Sequence, residues 1–333
     1  MISLVEKEII RQWPALTGCQ TLPSSLNIIQ ASGTNWGGGR VRFVVLDQNG
    51  NPIFFIRMMR NPENDCLLKE EYQLIVSLIT FPALAAFLPE ACFLGEVNGQ
   101  TFVVERAVVG ESVFRKMPGR TIDFRNRFKF HVNLSVNCLI ELARATRNRV
   151  NEAQLLGTVL QPLNEYYVRA GGKTLDLEPL MERLLKHSKG CLETVVTHGD
   201  FSPKNLILRP DGYCTIIDWE TARMNGLPLI DLFYFLSRYA YLSGSSRHER
   251  KAQRIKSFYG SSRSGAKIAL QAVKQYCLQL KYNQGIIKPL FLLHFLYKAC
   301  LKCRMAGMDD KSTKFWFDLF QYHLLSEETP WGL

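Results

Sequence analysis

The stretch Val195-Val-Thr-His-Gly-Asp-Phe-Ser-Pro-Lys-Asn-Leu-Ile-Leu208, followed by Thr215-Ile-Ile-Asp-Trp-Glu220, organises the reading of the whole chain. In both pieces, oxygen-bearing side chains stand at the ends of apolar runs. Asp200 and Asn205 are separated by four residues, so a tight loop can present both to one site. Asp218 comes 13 residues after Asn205, at the end of the second strand of a short hairpin that turns at Pro210-Asp-Gly212 and folds back. Carboxylate and amide oxygens are the hard donors that Mg²⁺ accepts, few at a time and with several waters kept. A lone His-Gly-Asp is adequately explained as a turn. Three polar positions at this spacing, flanked by apolar β runs, call for chemistry.

The chemistry that fits is phosphoryl transfer. It needs a carboxylate to orient or deprotonate an attacking hydroxyl, oxygen ligands for Mg²⁺, and positive charge to balance the transferred group. The segment resembles the H-G-D-x-x-x-x-N and I-D-W/F/L signature of the aminoglycoside phosphotransferase and choline kinase superfamily, whose spacing recurs more distantly in protein kinases. The resemblance implies Asp200 as catalytic base, Asn205 and Asp218 as metal ligands, and His198 as a brace for the loop. Asp231, in Pro228-Leu-Ile-Asp-Leu232, is similar to the Asp of the family's downstream D-L-A/F element and would anchor the loop. The likeness is close from Thr197 to Tyr241, is loose over the two-lobe layout, and does not speak to the last ninety or so residues. It implies an α+β, protein-kinase-like two-lobed fold, with ATP and Mg²⁺ as cofactors.

Working outward, residues 1–107 read as a β-rich, nucleotide-binding lobe. Arg40 to Leu46 and Pro52 to Met59 are apolar runs around the turn Asp47-Gln-Asn-Gly50, and predict a hairpin. Cys66 to Ile79 has a helical stripe, and Ala91 to Val97 with Thr101 to Arg106 predict a second hairpin at Asn98-Gly99. Ala31-Ser-Gly-Thr-Asn-Trp-Gly-Gly-Gly39 is either a Gly-rich turn or, by resemblance, the nucleotide loop, with Ser32, Gly33, Thr34 and Asn35 near phosphates. Arg57 stands where kinases usually carry Lys; it can hold phosphate oxygens bidentately but is not equivalent. The resemblance further implies that Glu71, or its neighbour Glu70, pairs with Arg57. It implies also that Glu105 to Ala107 is the connector whose backbone meets the adenine, behind Val103 and Val104.

Residues 108–333 read as a mainly helical lobe holding the catalytic loop and the acceptor site. Helices are expected over Phe124 to Arg147, Pro179 to His187, Leu229 to Leu242, Ala266 to Lys281, Lys288 to Met305 and Thr313 to Leu325. Arg247 to Lys267 has seven basic residues and one acidic residue, and reads as a solvated insertion or, alternatively, a lid over an anionic acceptor. Phe315, Trp316, Phe317 and Phe320 form an aromatic stripe that belongs to the core before it belongs to a pocket.

Bulk composition sets the outer limits. With 47% hydrophobic and 21% charged residues, the 333-residue chain is a folded one, not a disordered one. No apolar run reaches the ~20 residues of a membrane helix, and Glu6 and Glu8 break the N-terminal one, so a cytoplasmic protein without a transmembrane segment is expected. Nine scattered cysteines suit reduced thiols, and the Cys300/Cys303 pair lacks partners for a zinc site. The net charge of +11 suits an anionic partner, yet no nucleic-acid motif accompanies it.

The expected activity is thus transfer of the ATP γ-phosphoryl group to a hydroxyl of a small molecule, an amino alcohol, aminoglycoside or sugar. A protein kinase is the alternative, although Gly199 and Ser202 replace its Arg and Lys, Trp219-Glu220 replaces Phe-Gly, and no A-P-E follows. An inactive nucleotide-binding scaffold is a third reading, supported only by Arg57.

Overall fold

A computed structural model of the chain describes residues 2–33, 39–117, 124–155, 178–188, 192–243, 248–260, 264–307 and 310–325, with single positions at 157, 163, 165, 168 and 331. It is an α+β protein that divides into two compact units, Met1–Glu111 with Ile207–Glu220, and Ser112–Leu206 with Thr221–Leu333. Helices of eight or more residues are numbered here in chain order.

The first unit is built on a five-stranded antiparallel sheet of β1 (Asn27–Gly33), β2 (Arg40–Leu46), β3 (Pro52–Met59), β4 (Ala91–Val97) and β5 (Gln100–Arg106), in the spatial order β1-β2-β3-β5-β4. Successive side chains along a strand point to opposite faces. Phe54, Ile56 and Met58 of β3 and Phe102 and Val104 of β5 therefore share one face, where they pack with Val5 and Ile9 of α1 (Ile2–Arg11). Val103 and Met59 lie on the other face beneath Leu68 of α2 (Asp65–Ile79). The N-terminal helix, left unassigned by the sequence, is thus the cover of one sheet face. The hairpin of Leu206–Leu208 and Cys214–Ile216 groups with this unit, whereas the sequence placed it with the helices that follow. Packing explains the difference, since Ile216 N–H donates to Phe87 O at 2.7 Å.

The second unit is mainly helical, with α3 (Phe124–Thr146), α4 (Glu178–His187), α5 (Ile230–Leu242), α6 (His248–Tyr259), α7 (Ser264–Leu280), α8 (Ile287–Ala306) and α9 (Lys311–Leu325). It also holds a small antiparallel sheet in which Leu192–Thr197 lies between Arg223–Gly226 and Asn148–Val150. Within the basic stretch, α6 is an integral helix. Ile255 and Tyr259 are buried, and the Tyr259 hydroxyl donates to Phe233 O at 3.0 Å, so the solvated-insertion reading is corrected over its described residues. Trp316 and Phe320 are core residues. None of the described helices is long and apolar enough to cross a membrane.

Candidate active site

In the second unit, the loop after Leu192–Thr197 is held at nearly every backbone group. Asp231 accepts the N–H groups of His198 (2.6 Å) and Gly199 (3.0 Å). His198, fully buried, receives the Asp200 N–H on Nδ1 at 3.2 Å, and its carbonyl accepts the Thr221 hydroxyl at 3.0 Å. Gly199 has φ +76°, and a Cβ there would stand 2.4 Å from Thr221 O, so two constraints demand glycine in His-Gly-Asp. Asn205 donates Nδ2 to Asp200 O at 2.9 Å and to Asp200 Oδ2 at 3.1 Å. Its own Oδ1 accepts nothing among the described residues and is left as a hard oxygen donor.

Asp231 and Tyr234 are three residues apart on α5, hence on one face of that helix. While Asp231 holds the loop backbone, the Tyr234 hydroxyl donates to Asp200 Oδ1 at 2.6 Å. From α8 comes Lys298, completely buried, with Nζ 2.6 Å from Gly199 O and 3.3 Å from Asp200 Oδ1, over the Tyr234 ring at 3.7 Å. Burial raises the Asp200 carboxyl, but Lys298, Lys302 and the Tyr234 hydrogen bond outweigh it and hold the pKa at about 2. Burial pushes Lys298 down to about 8 despite Asp200. Tyr234 is raised far above its ordinary value by burial and by Asp200, and so remains a hydrogen-bond donor.

The first unit collects arginines on the α2 side of its sheet. Arg40 and Arg42 are two residues apart on β2, and Arg42 pairs in register with Arg57 of β3. Like charges directly opposite repel unless countered. Arg57, 3% exposed, donates to Glu71 Oε1 at 2.6 Å and Glu105 Oε1 at 2.5 Å. Arg40 donates to Glu71 Oε2 at 2.5 Å and lies 3.3 Å from Glu220. Arg42 donates to Asp218 Oδ1 at 3.2 Å. Burial opposes the Arg57 charge, yet Glu105, Glu71 and Asp218 raise its pKa above the usual value. Glu71 is lowered against burial by Arg57 and Arg40, whereas burial leaves Glu105 raised. Glu220 is raised by burial and by Asp218.

Of the residues singled out by sequence, His198, Asp200, Asn205 and Asp231 thus meet in the second unit, and Arg57, Glu71, Glu105 and Asp218 in the first. Glu71, not Glu70, makes the pair with Arg57. In the Glu105 to Ala107 connector, the Ala107 N–H donates to Ile53 O at 3.0 Å. The neighbouring Arg106 N–H is also engaged, with Glu90 O at 2.9 Å. Ser32 and Gly33 end β1, and Thr34 and Asn35 lie outside the described residues. Sequence reading missed Arg40, Arg42, Glu220, Tyr234 and Lys298. The alternation Arg40-Val41-Arg42 and a lysine amid the apolar run of α8 were the available signals.

Asn205 Oδ1 and Asp218 are oxygen donors of the right kind for Mg²⁺. The chemistry of the first unit agrees, since four carboxylates (Glu71, Glu105, Asp218, Glu220) contact three guanidiniums (Arg40, Arg42, Arg57), and Asp218 takes only one hydrogen bond among the described residues.

Residues 139–262 match the phosphotransferase enzyme family, so the resemblance carried by the His198 to Asp218 segment is found again over a longer stretch. No curated protein matches the chain. Among solved structures, it is similar to an aminoglycoside phosphotransferase from Streptomyces rimosus in complex with ADP and streptomycin, at 12% identity and a TM-score of 0.46, covering 97% of this chain and 99% of that one. A glucosamine kinase gives 10% identity and a TM-score of 0.44 over 93% and 96%. An aminoglycoside-3'-phosphotransferase of type VIII gives 14% and 0.42 over 83% and 98%.

Proposed function

We propose that this chain is an ATP-dependent phosphotransferase that moves the γ-phosphoryl group to a hydroxyl of a small molecule, in the amino alcohol, aminoglycoside or sugar class. One observation carries the reading. Asp200 is an ionised carboxylate, 31% exposed, on a loop whose backbone is pinned by Asp231, with one oxygen fully engaged and the other bonded, among the described residues, only by Asn205.

In the proposed step, the acceptor oxygen forms a bond to the γ-phosphorus as the bond to the bridging oxygen breaks. ADP leaves with that electron pair, and the hydroxyl proton passes to Asp200. With a pKa of about 2, Asp200 is a weak base. Its main contribution is orientation, with the proton moving late, as a loose transition state allows. Asn205 and Asp218 would hold Mg²⁺, which would neutralise charge on the phosphates. Arg57 is committed to Glu71 and Glu105, so its contribution is to fix those carboxylates and with them the sheet face.

The test is a coupled ADP-release assay with Mg·ATP against amino alcohols, aminoglycosides, sugars and generic protein substrates, beside an Asp200→Ala control. Acceptor-stimulated release that the mutant lacks is the expected result. Stimulation by protein substrates alone would favour the protein-kinase alternative. Silence across the panel, with no thermal shift by Mg·ATP, would overturn the enzyme reading in favour of a non-catalytic module.

A further inference from the structure

Between Pro289 and Leu301 every residue of α8 except Tyr297 is buried, and most of these residues are apolar, as expected for a helix in the core. Burying an ammonium in such a helix is expensive unless the charge is paired and hydrogen-bonded. Lys298 is fully buried near the middle of that helix and lies across from the loop that holds Asp200. Its Nζ reaches two loop atoms, the Gly199 carbonyl at 2.6 Å and Asp200 Oδ1 at 3.3 Å, with the face of Tyr234 at 3.7 Å. The aromatic face supplies a further favourable contact for the cation. Tyr234, from α5, donates to the same Oδ1. A pure packing position would be filled better by Leu or Met, and a purely electrostatic role would not require contact with the carbonyl as well.

We propose that Lys298 is a positioning residue for the transfer. With Tyr234 it ties Asp200 Oδ1 and the Gly199 carbonyl to the helical core, so that Oδ2 is the oxygen turned to the acceptor hydroxyl. The inference rests on the proposed phosphotransferase reading. It adds that the orientation of the base is set by a residue 98 positions downstream. Both donors to Oδ1 come from helices, whose backbones move little, and the two bonds restrict the rotation of the carboxylate. Misplacing a reacting group by about 1 Å costs on the order of 10²-fold in rate.

The experiment measures ADP release from Mg·ATP by the full chain, with any acceptor found in the panel and with water as acceptor otherwise, for Lys298→Met, Asp200→Asn and the double variant. Lys298→Met keeps the unbranched shape and most of the volume and removes the charge. Its kcat should fall by about 30- to 100-fold, with KM for Mg·ATP within about twofold of wild type. Because Lys298 acts through Asp200, the double variant should turn over no more slowly than Asp200→Asn alone. A loss confined to KM, an unchanged kcat, or losses that multiply in the double variant would each overturn the proposal. Should Lys298→Met not fold, Tyr234→Phe removes the other Oδ1 bond and should lower kcat by about tenfold at unchanged KM. Turnover retained in Asp200→Asn would instead sink the assignment of the base itself, which separates that failure from this one.

Discussion

Each unit buries a cation against carboxylates, but the two cations are of different chemistry. In the first, the Arg57 guanidinium forks between Glu71 and Glu105, with Arg40 sharing Glu71. In the second, the Lys298 ammonium serves one carboxylate and one carbonyl. A guanidinium stays charged at any working pH, whereas a buried ammonium can shed its proton. The first site is therefore a fixed framework, and the second is a titratable support for the carboxylate proposed to act in transfer. Removing a carboxylate should consequently damage the fold in one unit and the reaction in the other.

The largest effect expected on this contrast is that of Asp200→Ala, with turnover reduced by about 10³-fold or more. Its melting temperature should change little, because Lys298 can deprotonate once its partner is gone. Wild-type turnover by this variant in ADP release would break the comparison on the reaction side. Glu71→Ala is the opposite case, since it leaves Arg57 and Arg40 buried and undercompensated. Breaking a buried pair in this way costs about 3–5 kcal/mol, readable as a fall in the denaturant midpoint. A midpoint within error of wild type would show that the arginines find other partners.

Gly199→Ala places a Cβ at φ +76° against Thr221 O and should lower stability by about 2 kcal/mol, together with kcat. A variant as stable as wild type would mean that the loop yields there. The smallest effect sharpens the difference between the cations. Lys298 faces Asp200 from the loop, Asp231 and Tyr234 from α5, and Lys302 and His294 along its own helix. Its folded pKa is about 8 against an ordinary value of 10.5, so between those limits the unfolded chain binds more protons. Stability should then rise with pH across that window while kcat falls through about pH 8. Parallel pH series of melting and turnover would read this. A joint fall in both would mark simple alkaline unfolding, and a flat kcat would remove the titratable support.

Much of this was legible in the sequence because it is local. The strands Arg40–Leu46, Pro52–Met59 and Ala91–Val97 follow from alternation and turn residues. The spacing of Asp200, Asn205 and the hairpin to Asp218 follows from one contiguous segment. The pair Arg57–Glu71 came from resemblance, and its geometry is present at 2.6 Å. Other features were hidden by context. Residues 248–259 look like a solvated basic run until Ile255 and Tyr259 are seen on the buried side. Ile53 O takes up the Ala107 N–H, a pairing that no local pattern announces. Lys298 was passed over, because nothing near it in the sequence announces the carboxylate it meets.

By itself, the sequence determined the His198 to Asn205 loop, the residue types in it and most of the strands and helices around it, because these depend on neighbours a few positions away. Tertiary structure alone decided which distant charges meet within each unit. Arg42 reaches Asp218 across 176 positions, and Lys298 reaches Asp200 across 98. The energy of a buried charge depends on the groups packed around it, and that packing is settled only when strands and helices from far along the chain come together.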